Sequence, residues 1–327
     1  MSHFILTIDT EADNAWSRPD KIEMKNFEEI PRFQKLCEKY QIIPTYLLTY
    51  EYATYQPAID FFKVKLKEHK CEIGHHLHVW TTPPFSNEKN GVDIDWIQAY
   101  QFELPNELFE KKANSLHEAI TKTFGIEPKI HRAGRWGVDN RTIDWLSNNQ
   151  YLIDTSVIPR YNLSSNLGKK MVGKDFFRIG QEPFYWKTKN TNDILEVPVT
   201  VFSKNTNIKS FTDIIQRLFP NNKVVRSAIT KIHKPKMLRP NPSYHFSYYY
   251  NTIKNSSKNN RPINMMLHSS ELAYSCSPFT QSKENYEKIW KILEYIFIEL
   301  KKYNYQSVSS KTFFQLYSEI SVKKNVE

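Results

Sequence analysis

Residues 72–80 read Glu72-Ile73-Gly74-His75-His76-Leu77-His78-Val79-Trp80, and Thr81-Thr82-Pro83-Pro84 ends the run. Three of the chain's ten histidines fall within four residues here. The segment has strand character, and a strand sends alternate side chains to opposite faces. Glu72, Gly74, His76 and His78 therefore share one face. Ile73, His75, Leu77 and Val79 share the other, which is mostly apolar. Two imidazoles one pleat apart on one face can chelate a single divalent ion, and imidazole suits zinc and other first-row metals. A lone histidine in such a run would read as a hydrogen-bonded core residue, and that is the reading for His75. A His-x-His pair at a strand end, beside a Pro-rich loop, reads as a metal site.

The surrounding sequence alternates strand and helix patterns. Phe4–Asp9 reads as a buried strand ending in an acid, with Asp9-Thr10-Glu11-Ala12-Asp13 after it. Helical spacing follows over 27–40, then a strand over 42–49, then a short helix from Ile59 to Glu68. After the histidine strand come a helix over 105–124 closed by Gly125 and Pro128, and a short strand Ile130-His131-Arg132. A helix over 139–147 capped by Asp139 follows, and then strands at 151–156 and 194–199. A strand over 263–268 ends in His268. Residues 283–302 form the longest helix, and a last strand and helix begin near Ser307. Residues 321–327 read as a polar tail, after a single domain over 1–320. Alternating β and α units imply a parallel sheet or barrel, with the active site beyond the carboxyl ends of the strands. Asp9, His76, His78, Arg132, Asp154, Glu196 and His268 all fall at or near such ends.

Bulk properties narrow the class. The 327 residues are 40% hydrophobic and 14% aromatic, enough for a packed core. No run of about 18 apolar residues is present, so no membrane-spanning helix is predicted. The start reads as a strand rather than a signal peptide. The three cysteines, Cys37, Cys71 and Cys276, are odd in number and scattered, which predicts a reducing, cytoplasmic setting. The net charge of +10 is localised: residues 203–260 hold eleven Lys or Arg and one acid, Asp213. That segment reads as a basic insertion, helical near 211–218 and 226–232, with a further helix beginning at Tyr248-Tyr249-Tyr250. It would attract phosphates, acidic glycans or an anionic membrane surface, or else simply solvate a peripheral excursion.

These residue types specify a chemistry. In an extended segment Asp9 and Glu11 point the same way. Glu11 with His76 and His78 gives one carboxylate and two imidazoles, a ligand set with open positions for water and substrate. Asp9 can act as general base and His268 as general acid in hydrolysis of an amide or ester. Arg132 can pair with Asp9 and keep it ionised. Zinc is the first expectation for the metal, with cobalt, nickel or iron as alternatives.

At ILTIDTEAD, PTYLLTYEYA, EIGHHLHVWTTPP, HRAGRWG, DTSVIP, LEVPVT and MMLHSSEL the chain resembles the NodB-homology polysaccharide deacetylases (carbohydrate esterase family 4), and most closely a WalW-like subgroup. The resemblance runs over most of the chain, with the motifs in family order. It implies a distorted (β/α) barrel of about seven repeats and metal-dependent removal of N- or O-acetyl groups from sugars. By position it makes Asp9 the base, His76 the first metal histidine, Arg132 the residue that tunes the base, His268 the acid, and Trp136 an aromatic wall of the acetyl pocket. Trp80, Arg135, Asp154 and Glu196 join Trp136 as expected substrate contacts. Two positions depart from the family. Thr10 stands where a second aspartate is usual, so Glu11 is the substitute ligand and Asp13 its alternative. Trp80 stands where the second metal histidine is usual, so His78 takes that role.

The expected partner is an acetylated glycan or a lipid- or nucleotide-linked sugar, handled in the cytoplasm, with peripheral contact to the inner membrane face through 203–260 as an open alternative. A non-catalytic glycan-binding protein on the same scaffold is the alternative. Nucleic-acid binding through the basic segment and Tyr244, Tyr248, Tyr249 and Tyr250 is the weaker third reading.

Overall fold

Strand β1, Ser2–Thr10, is the axis of the molecule. The computed structural model describes residues 2–15, 21–94, 100–166, 172–189, 192–202, 215, 218, 222–233 and 235–324. Within them β1 lies between two parallel neighbours, β2 (Pro44–Leu48) and β8 (Ile263–His268), in registers that place Asp9 beside both Leu47 and His268. The sheet continues in parallel through β3 (Glu72–Leu77), β4 (Ile130–Ala133), β5 (Ile153–Asp154) and β7 (Ile194–Glu196). Strand β6 (Phe184–Trp186) lies antiparallel on β7, and β9 (Tyr305–Ser307) pairs with the start of β1.

The sheet curls toward closure. The gap between β7 and β8 is bridged by backbone hydrogen bonds: Thr200 N to Asn264 O at 2.9 Å, Leu238 N to Thr200 O at 2.7 Å and Met266 N to Leu238 O at 3.2 Å. The expected distorted barrel is what forms.

Most expected helices are present. They are α1 (Ile30–Lys39), α3 (Gln56–Lys67), α4 (Asn106–Phe124), α5 (Asn140–Asn148), α6 (Lys223–His233), α7 (Phe246–Lys258), α8 (Lys283–Lys302) and α9 (Ser310–Lys324). Their ends follow the local chemistry. Asp139 caps α5 by accepting from Thr142 N at 2.9 Å. Gly125 closes α4 at φ 66, where a side chain would be strained.

Five differences stand out, and one expected helix lies largely outside the described residues. A short helix α2 (Tyr50–Thr54) and strand β6 were not legible in the sequence. The strand over 151–156 shrinks to two residues, and the one over 194–199 stops before Pro198, which has no N–H for a ladder. Helix α9 runs to Lys324, into the expected tail. The helix expected near 211–218 lies outside the described residues except at positions 215 and 218.

Alternation on each strand divides the barrel into two sides. Outward residues such as Phe4, Leu6, Ile8 and Ile73 join the large cluster beneath the helices. Inward residues fill the barrel in layers. Ile5, Leu47, Ile130, Ile153 and Leu195 form an apolar floor with Val308 and Phe313. Above it sit Thr7, Asn264, Thr155 and Arg132, joined by hydrogen bonds. Gly74 occupies the inward position of β3 at the floor, because a Cβ there would press on Leu47 and lie 2.8 Å from Ile130 O. Gly74→Val should therefore lower stability by about 1–3 kcal/mol through overpacking. Urea unfolding measures it, and an unchanged midpoint would show slack that the packing does not contain.

Candidate metal and acid–base site

The inward alternation that makes the floor also builds the rim. Asp9 follows Ile5 and Thr7 on β1, His76 follows Gly74 on β3, and His268 follows Asn264 and Met266 on β8. Thr10 points the other way, its hydroxyl bonded to Ile8 O at 3.0 Å. Glu11 then returns to the side of Asp9.

Glu11, His76 and His78 converge. Their ligand atoms lie within 4.8 Å of one another, and among the described residues no other three His, Cys, Asp or Glu do so. Glu11 Oε2 is 3.2 Å from His78 Nε2 and 3.8 Å from His76 Nε2. His76 Nδ1 is 2.9 Å from the Arg132 carbonyl, which only accepts, so Nδ1 carries the proton and Nε2 presents its lone pair. His78 stacks on Trp80 with ring centroids 4.3 Å apart, and its buried Nδ1 has no hydrogen-bond partner. All three ligands are buried. Burial lowers the His76 pKa to about 4 against the opposing Asp9 charge, and lowers His78 further below its ordinary value. Both rings are thus neutral ligands at neutral pH. Burial, then the charges of Asp9, Glu51 and Glu271, raise Glu11 well above the carboxylate range. A buried carboxyl facing two neutral imidazoles lacks a cation, and a divalent ion is the group that this donor set fits.

Asp9 sits beside that set. Its Oδ1 accepts from Arg132 Nη1 at 2.5 Å, while Oδ2 faces His76 Nε2 at 3.9 Å and His268 Nε2 at 3.6 Å. Burial alone would raise its pKa. The Arg132 guanidinium, with His76 and His268, overturns that and holds the carboxyl below the ordinary range. Arg132 itself is fully buried, with Nε on Thr155 O at 2.9 Å and Nη2 on Thr7 Oγ1 at 2.7 Å. It does not line the cavity. It positions Asp9 from behind.

His268 is held from its other side. Glu271 Oε1 accepts from His268 Nδ1 at 2.7 Å and also pairs with Arg239. Nε2 is thereby left facing Asp9.

These groups open into a cavity of about 590 Å³. Trp80, Arg135 and Trp136 line it as expected. Arg135 and Trp136 have φ of 56 and 62, a conformation that costs non-glycine residues of the order of 1–3 kcal/mol each. The Arg135 guanidinium lies 4.2 Å from the Tyr100 ring centroid, and Trp136 covers Arg132. Tyr100, Tyr161, Asn166 and Arg239 complete the wall and were not singled out from sequence. Glu271 was legible as an acid three residues after His268, the spacing at which it returns to bond His268 N at 3.3 Å.

Asp154 and Glu196 are corrected. Both face outward and are fully buried beneath the helices. Asp154 bonds His131 Nδ1 at 2.7 Å, and Glu196 accepts from Val157 N and Trp186 Nε1 at 3.0 and 2.9 Å. Strand-end position placed them near the site, but strand phase turns them away from it. Asp13 is no ligand either, since it accepts from Lys25 N and Asn26 N in the loop after β1. His75 is the core histidine expected, with Nε2 on Ala113 O at 3.3 Å.

No protein-family model and no curated relative matches the sequence. Solved structures do. A protein from Mycobacterium smegmatis assigned as a polysaccharide deacetylase superposes with a TM-score of 0.56 at 11% identity, over 99% of this chain and 92% of that one. The fold is that of the polysaccharide deacetylases. Two further deacetylase barrels are more distant. A peptidoglycan deacetylase from Bacillus subtilis gives a TM-score of 0.41 at 11% identity, over 99% and 95% of the two chains. A family 4 carbohydrate esterase pseudoenzyme from Bacillus anthracis gives 0.44 at 10%, over 96% and 66%. At these identities the likeness to the deacetylase barrel is one of fold, and the site stands on its own geometry.

Two outcomes follow from that geometry. Asp9→Ala strands a buried guanidinium and should cost about 3–5 kcal/mol in urea unfolding at pH 7. Because the Asp9 pKa is depressed, its contribution is present above the unfolded carboxyl pKa of about 4 and lost as pH falls below it, so the deficit should shrink on acidification. For the metal, Glu11→Gln should weaken zinc binding at least tenfold in calorimetric titration. Wild-type affinity should rise with pH as the Glu11 proton is displaced, and the variant should show a flatter slope.

Proposed function

We propose that this chain is a metal-dependent deacetylase that hydrolyses the N- or O-acetyl group of a sugar. The observation that carries the reading is the convergence of Glu11, His76 and His78 beside an Arg132-held Asp9 and a Glu271-held His268, at the mouth of a deacetylase barrel. When bound, a divalent ion supplies Lewis-acid polarisation of an acyl carbonyl and of the attacking water. Zinc is the first candidate, and cobalt, nickel and iron suit the same donors.

The chain's own residues do the rest. Asp9, ionised at neutral pH, accepts a proton at Oδ2, because Arg132 occupies Oδ1. His268 carries a proton at Nε2 toward the leaving nitrogen or oxygen, with its ring orientation set by Glu271 at Nδ1. Trp80, Tyr100, Trp136 and Tyr161 give sugar rings apolar faces, and Arg135 and Asn166 offer donors to hydroxyl or carbonyl oxygens.

The substrate reading is an acetylated glycan or a lipid- or nucleotide-linked precursor of one. Buried, unpaired Cys37, Cys71 and Cys276 support handling in a reducing compartment.

Metal content by mass spectrometry is the first test, followed by acetate release from acetylated oligosaccharides and nucleotide-linked N-acetyl sugars. About one transition metal per chain is expected, lost in the His76→Ala/His78→Ala double variant. Asp9→Asn and His268→Ala should each lower turnover at least a hundredfold while circular dichroism shows a folded chain. No metal after incubation with zinc, cobalt, nickel and iron would overturn the reading in favour of a glycan-binding scaffold.

A further inference from the structure

Helix α6 combines two features that folded chains seldom leave exposed together. Its sequence, Lys223-Val-Val-Arg-Ser-Ala-Ile-Thr-Lys-Ile-His233, has an apolar face of Val224, Val225, Ala228, Ile229 and Ile232. Only one edge of that face is covered: Ile229 is buried and Val225 half-buried. The row Val224, Ala228, Ile232, at spacings of four, lies open, with Val224 77% and Ile232 39% exposed. Leu218, just before the helix, is 67% exposed. Three of the eight exposed large hydrophobics among the described residues thus fall within fifteen residues of chain.

The sequence flanking this row carries charge of one sign. From 214 to 270 the sequence has no Asp or Glu, and ten Lys or Arg. Lys231 is exposed and lies about two turns along the helix from Val224, at the edge of the same face. An amphipathic helix of low net hydrophobicity, with cations on its polar side and aliphatic residues left open, fits the interface of an anionic bilayer.

We infer that α6 docks this protein on an anionic lipid surface. A nucleic acid would want exposed aromatic platforms, whereas Tyr248 and Tyr249 are buried and Tyr244 packs against both. The exposed apolar residues of α6 are aliphatic, not aromatic.

The chain leaving α6 runs to the cavity. Two residues after α6, the Pro235 carbonyl accepts from Tyr161 Oη at 3.1 Å, and Tyr161 is a cavity wall residue. Met237 and Arg239, next along the chain, line the same cavity. A lipid surface held by α6 would thus lie near the cavity mouth. That a membrane-held sugar is the substrate rests on the deacetylase reading; the docking itself does not.

Flotation of the full chain with vesicles tests it. Binding to equimolar phosphatidylcholine and phosphatidylglycerol should exceed binding to phosphatidylcholine alone at least tenfold. It should fall when salt is raised from about 0.1 to 1 M, which shortens the screening length from about 10 to 3 Å. Val224→Asp/Ile232→Asp alters exposed positions, so melting should be unchanged while vesicle binding drops tenfold or more. His76→Ala/His78→Ala should float as the wild type does, which separates this surface from the metal site. Equal binding to neutral vesicles, or no effect of the α6 variant, would overturn the inference. So would tighter, salt-sensitive binding of a single-stranded oligonucleotide that displaces the vesicles, or a dimer that the α6 variant dissolves.

Discussion

A guanidinium with no access to water sits at the centre of this molecule. Removing Arg132 from solvent is costly unless its donors are met by a charge and by good acceptors. Asp9, Thr7 and Thr155 meet them. Asp9 and Thr7 come from β1, Arg132 from β4, and Thr155 directly follows β5, so the ion pair closes only when these three strands stand in the observed register. The same pair depresses the Asp9 pKa and commits its second oxygen to the cavity. Fold and chemistry share one interaction, and the apolar floor beneath it holds that interaction away from water.

The residues around the pair divide the work by face. Inward positions carry the donors, acids and bases. Outward positions carry the packing, together with a second polar row, His75, His131, Asp154 and Glu196, that runs across four neighbouring strands. In that row burial and the neighbouring charge raise Glu196 well above its usual range, while His131 offsets burial and holds Asp154 low. The two buried carboxyls are thereby driven apart in acidity, with His131 on the side of Asp154.

Much of this was legible in the sequence because the side-chain period of a strand is rigid. His76, His78, Asp9 and Glu11 could be placed on one face by counting, and the structure brings them together. The departure at Thr10 is explained by the same count, since Thr10 faces the other way and Glu11 faces in. What counting could not supply was phase between strands. Asp154 and Glu196 end their strands and His76 lies one residue from the end of its own, yet in register they align with His75 rather than His76 and turn from the cavity. Nor could it supply the walls. Tyr100, Tyr161 and Arg239 reach the site from connections between strands and helices whose paths depend on tertiary packing. Arg239 was legible only as one cation in a basic segment.

The outward row bears on the inward one through consecutive residues. His75 precedes His76, and His131 precedes Arg132, so the ring at the cavity and the guanidinium behind Asp9 each belong to a residue that shares a peptide with a buried partner on the outer face. Any rotation of β3 or β4 that loosened the rear contacts would swing the ligand and the base support together. In mutational scans these rear positions should therefore score as though they touched substrate. Replacements at His131 or Asp154 would also be tolerated or not according to what already stands at 132, a case of epistasis transmitted through the thickness of a single strand.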